Sequence, residues 1–241
     1  MSSSTVKPFK FKQFTIHQDK CPMKVGTDGV LLGAWAAVEK DKRVLDIGTG
    51  SGVVAIMLGQ RNEQAIIHGV EVDADAYEQA RQNMEKAPWS DRLKPIHSAI
   101  QDYARQYQGQ YDHIVSNPPF FSGGTFSNNQ DRNSVRHTIK LPHGDLLVAV
   151  RKLLAPGGKF SLILPLIEGL RFQELARTYK FYCNRITEVR PKADKNVERL
   201  LMEFGQVEKP LDKSTLIIQK EARNDWTEAY IALTGAFYLN M

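Results

Sequence analysis

The chain has 241 residues, 42% of them hydrophobic, enough for one α/β domain or two small ones with a true core, which excludes a globally disordered polypeptide. Its longest apolar runs, 30–38 and 160–167, fall well short of the ~18 residues of a membrane span, and the polar stretch 1–5 followed by lysines is unlike a secretory leader, so a cytoplasmic protein without a membrane is expected. The formal charge of +5, from 32 Lys+Arg against 27 Asp+Glu, is compatible with a polyanionic partner without requiring one.

RVLDI (43–47) reads as a buried strand, and the apolar residues of 53–58 as a helix packed on it, with a glycine-rich turn between. AIIHGVEV (65–72) is a second buried strand. Asp73 can cap a helix in which Ala76, Tyr77, Ala80 and Met84 recur at helical spacing. Strands are expected at 93–96, 111–116 and 159–165. Helices are expected at 100–107, 144–154 and 168–179, and the A-P-G-G turn at 155–158 precedes the last of those strands. This alternation predicts a parallel sheet with helices on both faces. The β-like stretches 185–190 and 199–204, joined by the polar turn 191–198, predict an antiparallel finish. No repeat or linker divides the chain, so one domain is expected: a basic and aromatic segment at 1–24, a catalytic core at 25–205, and a C-terminal strand and helix at 206–241.

Two cysteines, Cys21 and Cys183, lie far apart with no C-x-x-C, as suits a reducing compartment, and the six histidines lack ligand spacing, so no metal is expected. The turn Asp46-Ile47-Gly48-Thr49-Gly50-Ser51-Gly52 carries G-x-G-x-G after a strand and before a helix, where glycines let a ligand approach the backbone. A dinucleotide fingerprint would need a glycine at Val53, which weakens that reading without excluding it, and Thr49 rules out a nucleophile elbow at Ser51. Glu71, about 20 residues on, can accept the hydroxyls of an adenosine ribose. The Asp46 carboxylate would repel a pyrophosphate but suits a cofactor bearing an ammonium group, as S-adenosyl-L-methionine does. Asp102, after the third strand, is placed to accept from an adenine amino group.

SNPPFF (116–121) ends the strand 111–116 with two prolines, which cannot donate to a sheet. VLDIGTGSG (44–52), GVEVD (69–73) and NPPF (117–120) together resemble the class I S-adenosylmethionine-dependent methyltransferases, and the last motif is that of the subgroup that methylates planar nitrogens of adenine or glutamine. The resemblance implies a Rossmann-like fold, with a mostly parallel seven-stranded sheet, helices on both faces and an antiparallel final strand. It further implies a cofactor site that includes Asp46, Gly48, Gly50, Gly52, Glu71, Asp102 and Asn117. In such a site the Asn117 side-chain oxygen and the Pro118 carbonyl take the two N–H bonds of an adenine amino group, which strengthen as positive charge develops on nitrogen. Phe120 offers a face for an extruded base, and Phe121 reads as core.

MKVGTDGVLLGAW (23–35), VRHTIK (135–140) and TEAYIALTGAFYL (227–239) are similar to the bacterial tRNA(Val) adenosine-N6 methyltransferases over nearly the whole length, which implies tRNA as partner, methylated on the adenosine 3′ of the anticodon, with Thr27 a further cofactor contact. Basic clusters suit that substrate: Lys10 and Lys12 interleaved with Phe9, Phe11 and Phe14; Arg132, Arg136 and Lys140 beyond the motif; and Lys192 and Lys195 at the late turn. The alternatives are a glutamine methyltransferase acting on a release factor or ribosomal protein, for which residues 1–42 leave no room for the usual N-terminal domain, and a non-catalytic RNA-binding protein of the same fold.

Overall fold

A computed structural model describes residues 6–118, 141–222 and 224–241. Phe120, Phe121, Arg132, Arg136 and Lys140 therefore lie outside the described residues.

The chain opens with a two-stranded hairpin, β1 (Phe9–Lys10) and β2 (Thr15–Ile16), followed by α1 (Thr27–Trp35). The doubly wound part then runs β3 (Arg43–Ile47), α2 (Val53–Arg61), β4 (Ile66–Glu71), α3 (Ala74–Lys86), β5 (Leu93–His97), α4 (Ile100–Gln106), β6 (Tyr111–Ser116), α5 (His143–Leu153), β7 (Leu154–Pro165) and α6 (Leu166–Thr178). It finishes with β8 (Tyr182–Arg190), β9 (Arg199–Gly205), β10 (Asp212–Ile217) and α7 (Glu228–Thr234). The large sheet has eight strands in the order β10-β8-β9-β7-β6-β3-β4-β5. It is parallel except at β9, which runs antiparallel to both β7 and β8.

The sheet has one strand more than the seven expected: β10, the strand foreseen within 206–241, joins its edge parallel to β8, so the antiparallel strand is the penultimate one in the chain and not the last. The A-P-G-G stretch is a bulge near the start of β7: the pairing with β6 slips between Tyr111 and His113, and Gly157 takes a left-handed φ of 76°.

Alternating side chains build one core on each face of the sheet. Val44 and Val115 point toward α1, α2 and the N-terminal hairpin, while Leu45 and Ile114 point toward α4, α5 and α6. α1 and α2 approach closely because Gly33 carries no side chain; a Cβ there would stand 2.9 Å from Met57 Sδ. The chain leaves β3 for β4 and β5 on one side, then returns to β6 on the other. Those opposite departures open a crevice at the carboxyl ends of β3 and β6, where ligands bind in this architecture.

The N-terminal segment is less available than its composition implied. Phe11 and Phe14 are buried and stack on each other with centroids 4.5 Å apart, and Phe14 meets Trp89 edge-on. Lys12 is spent on the fold, its Nζ donating to the carbonyls of Gly235 and Met241 at 2.5 and 2.6 Å. Phe11 and Phe14 thus fill the core and offer no surface for stacking, whereas Phe9 is half-buried and borders a cavity.

Asn62, at the end of α2, clamps the loop before β3: its amide donates to Val38 O and Asp41 O, and its oxygen accepts from Gln64 N and Ala65 N. It is 4% exposed, so Asn62→Ala strands these backbone groups and is expected to cost about 2–3 kcal/mol of stability. Urea denaturation monitored by circular dichroism measures this; a loss under about 0.5 kcal/mol would show the clamp to be redundant.

Candidate active site

A cleft of about 690 Å³ opens at the carboxyl ends of β3 to β6, within the range of small-molecule sites. Its walls include Gly48 and Gly50 of the glycine turn, Glu71 at the end of β4, and Asn117 and Pro118 after β6. Ser116 Oγ donates to Ile47 O at 2.9 Å, which locks the ends of β6 and β3 together and sets Asn117 beside the turn.

Three glycines of the turn adopt left-handed φ values: 71° at Gly48, 55° at Gly50 and 82° at Gly52. Their surroundings divide them. Nothing stands within 4 Å of where a Cβ on Gly48 would be, so its backbone is open to a ligand, whereas a Cβ on Gly52 would press on Met84 and Ala80 of α3. Gly48 and Gly50 thus belong to the cleft, and Gly52 serves the packing of α2 on α3.

Glu71 Oε1 accepts from Val72 N and Asp73 N at 2.9 and 3.0 Å, and Oε2 accepts from Gly50 N at 2.9 Å. A carboxylate offers about four acceptor sites, so three backbone donors leave room for one ribose hydroxyl and not the two expected from sequence.

Asp46 stands behind the turn and off the cleft wall. It is 1% exposed, accepts from Thr49 Oγ1 at 2.6 Å, and is pushed up to about 7 by burial. On β3 it shares a face with Val44, which points toward α2, so any influence on a ligand passes through the turn it braces.

Asp102 is also off the wall. Its carboxylate pairs with Arg105 one turn along the exposed side of α4, and Ser98, Ala99 and Gln101 line the cleft there instead. Helix α4 starts at Ile100, which rotates position 102 toward solvent. The sequence showed a helix starting at Ile100 but not which of its faces meets the cleft.

At the start of α1 the residues expected from the resemblance divide between two places. Thr27 is exposed and borders a different cavity. Asp28 is paired with Arg199 at 2.9 Å. Gly29, which sequence reasoning passed over, faces Asn117: a Cβ on it would lie 3.9 Å from Asn117 Nδ2. Its only signal was a glycine inside a helical pattern, which commonly marks a close approach. Cys21 also lines the cleft, but burial pushes its thiol up to about 12, so it is protonated and not a nucleophile.

The second cavity, of about 660 Å³, lies at the carboxyl ends of β8 and β10 and is lined by Lys10, Lys192 and Lys195 together with Trp226, Tyr230 and Tyr238. Two of the three basic clusters therefore converge, through Lys10 on one side and the turn after β8 on the other.

One further constellation resembles a hydrolase relay: His113 Nδ1 lies 3.0 Å from Asp41 Oδ2, and His113 Nε2 lies 2.8 Å from Ser161 Oγ. His113 and Ser161 have no exposed surface, so no substrate reaches that hydroxyl and the group braces the sheet.

A doubly wound sheet, a glycine turn and a strand-end glutamate around a nucleoside-sized cleft, with Asn-Pro after β6, make this a Rossmann-like methyltransferase. Residues 25–164 match the family described as the methyltransferase small domain. The chain is 45% identical over 233 residues to a tRNA1(Val) (adenine(37)-N6)-methyltransferase of Trichodesmium erythraeum, covering 96% of this chain and 97% of that one. A protein of the same name from Flavobacterium psychrophilum is 40% identical over 97% of this chain and all of its own. The chain belongs to the methyltransferase small-domain family and, within it, to that of these relatives. Among solved structures, a protein from Agrobacterium tumefaciens described as a predicted O-methyltransferase superposes with a TM-score of 0.71 at 19% identity, over 87% of this chain and 96% of its own. The glycopeptide N-methyltransferase MtfA, solved with S-adenosyl-L-methionine, gives 0.56 at 13% identity, over 77% of this chain and all of its own. At those identities the likeness is one of fold.

The raised Asp46 pKa makes a pH prediction. A carboxyl raised to about 7 contributes stability below its unfolded value of 3.8 and loses it as pH rises through 7. Relative to Asp46→Asn, which cannot titrate, the wild-type unfolding free energy is expected to fall between pH 4 and pH 7 and level off above. A difference constant across that range would show the carboxyl to be unperturbed.

Proposed function

We propose that the protein transfers a methyl group from S-adenosyl-L-methionine to the N6 amino group of adenosine 37 of tRNA1(Val), in the cytoplasm. The observation that carries this reading is the placement of Asn117 and Pro118 on the wall of the cleft shared with Glu71 and the glycine turn, in a chain 45% identical over its length to a relative of that activity. Among the described residues no helix is long and apolar enough to cross a membrane.

The cleft fits the cofactor: the open backbone at Gly48 and the one free acceptor site of Glu71 suit a ribose. When bound, S-adenosyl-L-methionine supplies an electrophilic methyl group on a sulfonium centre.

The chain's own residues then have to present a poor nucleophile, since the lone pair of an adenine amino group is delocalised into its ring. The Asn117 side-chain oxygen and the Pro118 carbonyl accept the two N–H bonds and draw the nitrogen toward tetrahedral geometry. These bonds tighten as positive charge grows on nitrogen, so they stabilise the transition state more than the ground state. The ring of Pro118 fixes its φ, and the proline next in sequence restricts the ψ that aims its carbonyl. Gly29 leaves space beside Asn117, and the Ser116 to Ile47 bond fixes the strand end that carries it. With the nitrogen so held against the sulfonium methyl that the bound cofactor would present, methyl transfer would release the sulfide, the surplus nitrogen proton would leave to water, and no buried base would be needed beforehand.

Asn117→Ala is expected to fold and bind S-adenosyl-L-methionine with near wild-type affinity while losing 100-fold or more in transfer. Incubation with labelled cofactor and total tRNA, followed by nucleoside analysis, measures it; wild-type turnover would remove Asn117 from the mechanism. Glu71→Ala is expected to weaken cofactor binding about tenfold or more, since one charge-assisted hydrogen bond is worth about 1.5–3 kcal/mol. Calorimetry showing unchanged affinity would overturn its ribose role.

A further inference from the structure

We propose that the second cavity is a pocket for another unstacked nucleotide of the same tRNA loop, with the base held against Trp226 and Tyr238 and the backbone phosphate held by Lys10, Lys192 and Lys195. This rests on the tRNA reading above and adds a second point of attachment to it.

The cavity combines the two features of a single-stranded nucleotide site, aromatic faces and adjoining cations. The rings are backed by others and so held in place: Trp226 packs on Tyr230 with centroids 5.4 Å apart, and Tyr238 lies 6.2 Å from Phe9. Lys192 is oriented by donating to Glu221 O at 2.7 Å, while Lys10 is exposed and makes no ion pair among the described residues. Glu198 and Gln219 also border the cavity. A carboxylate there is unsuited to a phosphate but accepts from a base's exocyclic amine, which orients the nucleotide base-inward.

Position favours RNA over an unrelated ligand. The first turn of α1 separates the two cavities, with Thr27 bordering one and Gly29 facing Asn117 in the other. Both cavities open at the carboxyl ends of the strands, about four strand spacings of about 4.8 Å apart, so a short run of extended nucleotides that delivers its adenosine to Asn117 reaches the second cavity along the same sheet edge.

The chain has three tryptophans, and only Trp226 borders this cavity. Trp35 and Trp89 are each 9% exposed, with their indole N–H groups bonded to Thr187 Oγ1 and Ile56 O. Titrating the full chain with an unmodified valine tRNA transcript is expected to quench its fluorescence, and Trp226→Phe, which keeps a stacking face, is expected to abolish the quench. The exposed double substitution Lys10→Glu with Lys195→Glu spares the core. It is expected to raise KM for tRNA about tenfold with kcat little changed, to lower the salt slope of binding by about one per lysine, and to leave cofactor affinity intact.

If the wild type forms N6-methyladenosine but shows neither the quench nor a change in KM in the double variant, this pocket is refuted and the activity stands. If the wild type forms no N6-methyladenosine in any tRNA, the functional reading fails and the pocket loses its ligand.

Discussion

The Glu71 carboxylate ties together the two loops on which the site is built. By accepting N–H groups from Gly50, Val72 and Asp73 it joins the turn after β3 to the start of α3. Left-handed glycines gain conformational freedom in the unfolded chain and pay entropy on folding, so this turn needs an external brace, and a buried acceptor within reach of its N–H groups provides one. Asp46 braces it from behind through Thr49. The two carboxyl groups thus add to the backbone bonds from Gly48 and Thr49 to Val70 and from Gly52 to Thr49, and only Glu71 faces the cleft.

The same economy runs along the sheet edge. Strand ends carry chemistry here because the parallel connections all leave from that edge and the opposite departures from β3 open it. The cleft lies where β3 and β6 part, and the second cavity lies where β8, β9 and β10 turn over. The Asp28 to Arg199 pair crosses between them, linking the start of α1 to the start of β9. The start of α1 thus borders both cavities, through Gly29 beside Asn117 on one side and Thr27 on the other.

Much of this was legible in the sequence, and what was not has physical causes. Buried parallel strands such as RVLDI and AIIHGVEV announce themselves as apolar runs ended by glycine or an acid, and β3 and β4 fall where those runs lie. Edge strand β10, DKSTLI, is polar at its first four positions, all of them exposed, so its pairing direction left no trace in its composition. Side-chain direction was the weakest point. Asp102 lies on a helix that begins where it was foreseen, at Ile100, but successive helical residues turn by about 100°, so which of them meets the cleft depends on how the helix packs on the sheet. Lys12 shows the same limit for a charge: whether a lysine meets a phosphate or a carbonyl of its own chain depends on tertiary partners distant in sequence.

Charge along the carboxyl edge also argues for one orientation of the substrate. Glu71, Asp73 and Asp75 border the cleft, whereas Lys10, Lys192 and Lys195 border the second cavity. At physiological salt such charges act over about 8 Å, so each set governs its own cavity. A polyphosphate backbone is repelled from the acidic rim and drawn toward the basic one. A single nucleobase, being neutral, can enter the cleft only if its backbone stays outside. An acidic lining of this kind keeps a phosphodiester backbone out of the cleft, so that a base enters it only by swinging in from a strand held elsewhere.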